Sequence, residues 1–319
     1  MNKSDALNEI ATQLLVSSEE AEKILDKAYS GGEYSDDSEL GDWINLRFLP
    51  NCVFIDEIGY AKMCVDALKI LSSTVASDYG SSRQRDMGQL WADMTRGYLG
   101  ELACLQFFEK NGIIATLGHD AGNLSDFLPM DIHTIIDSDG SERIPKLNIG
   151  IKTTKWNGIW MDIPNDQFNH SHIHILVKVG AGRDHLFSFF KNLSVFRDKV
   201  LKKGVEVGSI TSEESEVLFD RIPSFTQIPA YIVGFVVRDS NYSDLPYNGK
   251  IGRKNFTITE WNGAMLKGDL DRIRIKEGVV GKIKFEGIGD FAHDSGYLFN
   301  TGNLLWRKRD WDEFVFKNI

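Results

Sequence analysis

Apolar residues recur at spacings of three and four along two stretches of the first third of the chain. From Asp86 to Lys110, the residues Trp91, Met94, Tyr98, Leu102, Leu105 and Phe108 fall close together on one helical face, and Asn111-Gly112 supplies a stop, so a long helix is predicted there. Tyr60 to Ala76 has the spacing of another amphipathic helix. Ahead of both, Ser17 and Glu20 form a capping-box pair before AEKILDKAY, and a Gly/Ser/Asp-rich break follows from Ser30 to Ser38. Residues 1–88 are therefore expected to be helical and to serve as a cap or dimerisation element.

Beyond the long helix the pattern becomes strand-like. DIHTII, KLNIGIKTT, GIWMDIP and HIHILVKV read as successive strands, with DSDGSERIP as a polar turn between the first two. A meander preceded by a helix predicts an α/β fold with a central mixed sheet flanked by helices. HLFSFF is expected as a further strand, SVFRDKVLKK as a basic helical piece and AYIVGFVV as a buried strand. The remainder, with Gly252, Gly263, Gly281, Gly287 and Gly289 at turn points, is expected to be a β-rich extension. The division that follows is a helical region 1–88, an α/β core 89–204 and a β-rich region 205–319.

Two positions stand out against these patterns. In LNIGIKTT, strand alternation puts Leu147, Ile149, Ile151 and Thr153 on one face and Asn148, Gly150, Lys152 and Thr154 on the other. An ammonium on such a strand needs an anionic neighbour, and Asp131, on the strand expected to adjoin it, is the natural candidate. Glu101 falls three residues after Tyr98 and four before Leu105, close to the buried helix face. An unpaired carboxylate is costly there, and a metal or a basic side chain beside it removes the cost.

Composition narrows the class. A chain of 319 residues with 42% hydrophobic and 11% aromatic content can bury a full core, either one core with large additions or two domains. No apolar run approaches the roughly 18 residues that read as a membrane span, and the polar N-terminus is unlike a secretory signal, so a cytoplasmic protein with no membrane partner is expected. Cys52, Cys64 and Cys104 lie in apolar contexts without a C-x-x-C pairing and read as free buried thiols. The net charge of -10 repels a polyanion at long range, but the charge is uneven. The first hundred residues are acidic, whereas GRKNF, DRIRIKEGVVGKIKF and LLWRKRDW cluster cations near the end.

Motifs exclude further classes. The chain has no GxxxxGK[ST] loop, no GxGxxG after a strand and no GxSxG elbow, which removes the usual support for ATP-driven, dinucleotide-dependent and α/β-hydrolase chemistry. His170, His172 and His174 alternate, so His172 and His174 share a strand face and offer two ligands to a transition metal, with no third evident. The ordinary account is histidines on the polar face of an edge strand. Trp156, Trp160, Trp261 and Trp306 lie near basic residues or turns, where stacking on bases competes with core packing.

The succession GYLGELACLQFFEKNG, LPMDIHTII and KLNIGIKTTKW resembles the PD-(D/E)XK nuclease superfamily, the restriction-endonuclease-like fold, over residues 89–180. The resemblance gives Glu101 from the helix, Asp131 as the first motif acid with Asp126 as a second candidate, and Lys152 as the motif lysine. Gln167 and Phe168 also resemble residues that follow the motif. It implies a Mg²⁺-dependent endodeoxyribonuclease, with Mn²⁺ as an alternative ion, similar to type II restriction or defence nucleases. Glu101, Asp131 and Lys152 would be catalytic. Asp131, Glu101, Asp126 and the Ile151 carbonyl would hold the metal, and Lys152 would orient the water or stabilise the transition state.

Double-stranded DNA would be gripped by Lys155, Arg253, Lys254, Arg272, Arg274, Arg307, Lys308 and Arg309, with 205–319 as a recognition element. Cutting two strands needs two sites, hence a homodimer through the N-terminal helices. The departure is Gly150, where the motif carries Asp or Glu. Glu101, Asp162 and Asp166 are the substitutes, and Glu101 is preferred for its buried-leaning position. The same departure supports a second reading, a catalytically inactive DNA-binding or assembly protein on a nuclease-like scaffold.

Overall fold

Two runs of residues are buried along nearly their whole length, Ile173–Val179 and Ile228–Val237. Burial of that kind requires cover on both faces and a neighbour on each edge, so these strands form the middle of a sheet. The computed structural model describes residues 1–78, 86–118, 131–182, 184–238, 242–244, 248–251, 254–257, 262–266 and 295–319. In chain order its strands are β1 (Cys52–Ile55), β2 (Ile114–Leu117), β3 (Ile132–Ile136), β4 (Glu142–Arg143), β5 (Ile149–Lys155), β6 (Trp160–Pro164), β7 (Ile173–Val179) and β8 (Ile228–Val237). The C-terminal strands are β9 (Tyr242–Asp244), β10 (Asn248–Ile251), β11 (Lys254–Thr257), β12 (Asn262–Leu266) and β13 (Ser295–Asn300).

The central sheet has the order β1-β8-β7-β5, with β5 parallel to β7 and β7 antiparallel to β8. It is a mixed sheet in a mixed α/β fold, and none of the described sheets closes into a barrel. The others run β6-β13-β12-β9, β2-β3-β4 and β10-β11. The expected meander is corrected here. β3 pairs with β2 and β4, and β5 turns instead to β7, reached through β6 and the helix Asn165–His170. Burial explains the choice: Ile149, Gly150 and Ile151 are all buried, which a parallel pairing inside the sheet satisfies and a half-solvated hairpin does not.

The long helix runs over Met87–Lys110 and the helix before it over Glu57–Asp78. Ser17 caps Ser18–Ser30, its hydroxyl accepting from the Glu20 amide at 3.2 Å. Two expectations fail. The segment CVFI, inside the region expected to be helical, is strand β1. HLFSFF is not a strand but part of the helix His185–Asn192, which buries His185, Ser188 and Phe189 at helical spacing. An apolar run this short carries no period that separates the two states.

The chain forms two compact units, a larger one of Met1–Val53, Gly100–Val179 and Ala230–Ile319 and a smaller one of Phe54–Leu99 and Gly180–Pro229. The boundaries expected at 88/89 and 204/205 do not coincide with these. Each unit is assembled from segments distant in sequence, and local composition does not mark such joins. The described part of the smaller unit is helical, with Tyr60 packed on His185, Phe189 and Phe225. Cys52, Cys64 and Cys104 are free and buried. Among the described residues no helix is long and apolar enough to cross a membrane.

A buried ionic group ties the larger unit together. Lys178 on β7 pairs with Glu33 at 2.7 Å, the two side chains being 3% and 0% exposed. Glu33 also accepts from Trp43 Nε1 at 3.1 Å and from the Tyr231 hydroxyl at 3.0 Å. Arg47, buried beside them, donates to the carbonyl of Thr301 at 2.6 Å. Burial by itself would raise the Glu33 carboxyl, but the charges of Lys178 and Arg47 and the hydrogen bonds from Lys178 and Trp43 outweigh it and hold the group below its ordinary value.

A depressed carboxyl contributes stability that is present above the ordinary carboxylate range and is lost as pH falls through the lowered native value. Lys178→Met leaves Glu33 buried without its nearest counter-charge. It is expected to cost about 3–5 kcal/mol in urea unfolding at neutral pH, and Glu33→Gln is expected to flatten the acid limb of the stability profile.

Candidate functional site

The central sheet ends at β5, and Asp131 closes part of its outer edge. The Asp131 amide donates to the Ile149 carbonyl at 3.1 Å, and its carboxylate Oδ2 accepts from the Ile151 amide at 2.5 Å. The residue is thus gripped by β5 just before the chain enters β3. The amide and carbonyl of one strand residue leave the same edge, so the Ile151 carbonyl lies on the Asp131 side of β5.

The helix Met87–Lys110 approaches the same strand through a glycine. A Cβ at Gly100 would lie 2.8 Å from both Cβ and Cγ2 of Thr153, and nearer still to its hydroxyl. Only a residue without a side chain lets the helix come so close, and Glu101 is the next residue along.

Lys152, between Ile151 and Thr153, is half-buried, and its ammonium donates to Oε1 of Gln167 on the helix Asn165–His170. Burial lowers its pKa, and the charges of Asp131, Glu101 and Asp162, in that order of strength, oppose the shift without cancelling it. Asp131 and Glu101 act together on another group as well. Burial pushes the Cys104 thiol well up, and these two carboxylates push it in the same direction. The helix acid, the acid before β3 and the strand lysine of the sequence reading therefore share one electrostatic neighbourhood. Asp162, on β6, belongs to it too.

Among the described residues no three His, Cys, Asp or Glu side chains form a cluster able to hold a metal ion. The acids act on the Lys152 ammonium through their charges. The donors of this neighbourhood are all oxygens, those of Asp131, Glu101 and the Ile151 carbonyl. Magnesium keeps several waters and takes one or two carboxylates plus substrate phosphate, so this donor chemistry fits Mg²⁺ or Mn²⁺.

Other candidates separate. Asp126, Arg253, Arg272, Arg274 and Trp261 lie outside the described residues, as does the side chain of Asp166. Lys254 is placed only by the backbone of β11, opposite Ile251. Lys155 is exposed at the end of β5. Arg307, Lys308 and Arg309 are exposed, with Arg307 5.1 Å over the Trp306 ring, Lys308 3.3 Å from Asp312 and Arg309 3.4 Å from Asp310. Trp156 and Trp160 are core residues.

The histidine account is corrected. His174 is not on a polar edge but buried on β7, between β5 and β8, and burial depresses its pKa to about 4. His172 precedes β7, and its Nδ1 accepts from the Asn148 amide at 2.9 Å. Sequence reasoning missed the parts played by Gly100 and His174, because both depend on which elements touch. No family model matches the chain, and it has no match among curated proteins or among solved structures. Gly100→Ala is expected to destabilise the fold by about 1–3 kcal/mol through overpacking. In thermal denaturation Gly100→Ala/Thr153→Gly should lose less than the sum of the two single changes.

Proposed function

We propose that this chain is a Mg²⁺-dependent endonuclease hydrolysing DNA phosphodiester bonds on a restriction-endonuclease-like core, with Mn²⁺ able to replace Mg²⁺. The observation that carries the reading is the ammonium of Lys152 on the edge strand β5, hydrogen-bonded to Gln167 and subject to the charges of Asp131, Glu101 and Asp162. A bound divalent ion would supply Lewis acidity and a more acidic water. Asp131, Glu101 and the Ile151 carbonyl would hold it.

Lys152 then donates to the attacking water or to a phosphoryl oxygen, where charge grows in the transition state. Its lowered pKa reduces the cost of passing a proton. Lys155, at the end of the same strand, and Arg307, Lys308 and Arg309 are exposed cations suited to the DNA backbone. Two-strand cleavage calls for a second copy of the chain, acting in the cytoplasm.

A second reading, a non-catalytic DNA-binding or assembly protein on the same scaffold, is favoured by Gly150, which leaves β5 without an acid two residues before Lys152. Plasmid nicking with Mg²⁺ tests the first reading. Lys152→Ala and Asp131→Asn are each expected to lower the rate by roughly 10²–10³-fold, and equal residual activity in wild type and Lys152→Ala removes Lys152 from the mechanism. Calorimetric titration decides the second: a binding-only scaffold shows no Mg²⁺ or Mn²⁺ site that depends on Asp131.

A further inference from the structure

The parallel register of β5 and β7 sets Gly150 beside His174, and strand alternation points both positions to the same face. A Cβ built on Gly150 would lie 2.9 Å from His174 Nδ1, 3.0 Å from Ser171 Oγ and 3.3 Å from His174 Cε1. The imidazole therefore occupies the space into which a side chain at 150 would project.

It has little freedom to step aside. His174 is 1% exposed, and its ring stacks on Phe168 with centroids 5.1 Å apart and planes 11° from parallel. Phe168 in turn stacks on Tyr297 at 3.6 Å. His174 Nε2 lies 3.2 Å from the Phe168 carbonyl, an acceptor only, so the ring proton belongs on Nε2 and Nδ1 keeps its lone pair toward Gly150. Among the described residues His174 takes part in no cluster of three metal-ligating side chains.

Resting on the nuclease reading, we propose that His174 determines the cation affinity of the site: a neutral imidazole fixed where β5 would carry a carboxylate leaves the site one negative charge poorer, so its divalent ion is held firmly only when a substrate phosphate completes the coordination. Asp131 and Glu101 already share their field with the Lys152 ammonium. An imidazole that bears no charge cannot restore the deficit. Affinity for a hard cation rises with the number of charged oxygens offered to it, and phosphate is the obvious source of the missing one.

The test has a stability arm and a binding arm, both on the full chain. In thermal denaturation, Gly150→Ala is expected to lower Tm, whereas adding Gly150→Ala to His174→Gly is expected to lower it little. Calorimetric titration with Mg²⁺ alone is expected to show weak binding to the wild type. Binding to Gly150→Asp/His174→Gly, checked for folding by circular dichroism, should be tighter by roughly tenfold or more, as ligand charge count predicts. A Tm for Gly150→Ala equal to wild type overturns the proposal. So does tight Mg²⁺ binding by the wild type without DNA, or unchanged affinity in the folded double variant. Failure of the nuclease reading shows differently: with the stability coupling present and the double variant binding Mg²⁺ more tightly, the wild type neither nicks plasmid nor gains Mg²⁺ affinity when duplex DNA is added.

Discussion

A lysine ammonium drawn into a sheet must be met by anions or by hydrogen-bond acceptors, and the central sheet of this protein meets that demand twice on one face. On β7, Lys178 receives a dedicated partner, Glu33, at 2.7 Å, and the pair is closed in by Trp43, Tyr231 and Arg47. On β5, Lys152 has a neutral acceptor, Gln167, and carboxylate charges from three other elements around it. The two arrangements differ in what they can do. A buried pair whose carboxylate already accepts from Lys178, Trp43 and Tyr231 fixes the fold. Lys152 instead lies within the charges of several carboxylates, and on the proposed nuclease reading those charges would also serve a divalent cation.

That edge exists because of how β5 is paired. Its inner side is consumed by β7 in a parallel ladder, and on its outer side Asp131 bonds Ile149 and Ile151. The aspartate serves two ends at once: its amide extends the pairing while its carboxylate accepts from the strand. A carboxylate held by a backbone amide loses little further entropy on meeting a cation or water, so the fold rather than the ligand supplies the positional order.

Much of this was legible in the sequence, and the illegible part has a common cause. The helix expected over Asp86 to Lys110 is found over Met87–Lys110, and four predicted strands fall where β3, β5, β6 and β7 lie. Those elements are set by period and by turn residues, which are local. The nearness of Glu101, Asp131 and Lys152 followed from a resemblance and from the cost of leaving each charge alone. Pairing was not legible. Nothing within KLNIGIKTT says that its partner is the strand after next rather than the one before, so the hairpin expected with DIHTII gave way to a crossover. The exposure expected for His174 failed for the same reason, since only register reveals that β7 lies inside the sheet.

Two glycines beside Lys152 show how a missing side chain can have opposite meanings. Gly100 is small because Thr153 must be reached, and the closeness it permits brings the helix that bears Glu101 against β5. Gly150 is small because His174 is already there. The first lets two elements meet. The second marks a space already filled, because a side chain at 150 would meet a ring from the neighbouring strand that stacks on Phe168 and bonds its carbonyl. An acid at 150 and an imidazole at 174 are mutually exclusive in this packing. What can occupy this space is therefore decided by a pair of positions on adjacent strands, and neither residue read alone reveals it.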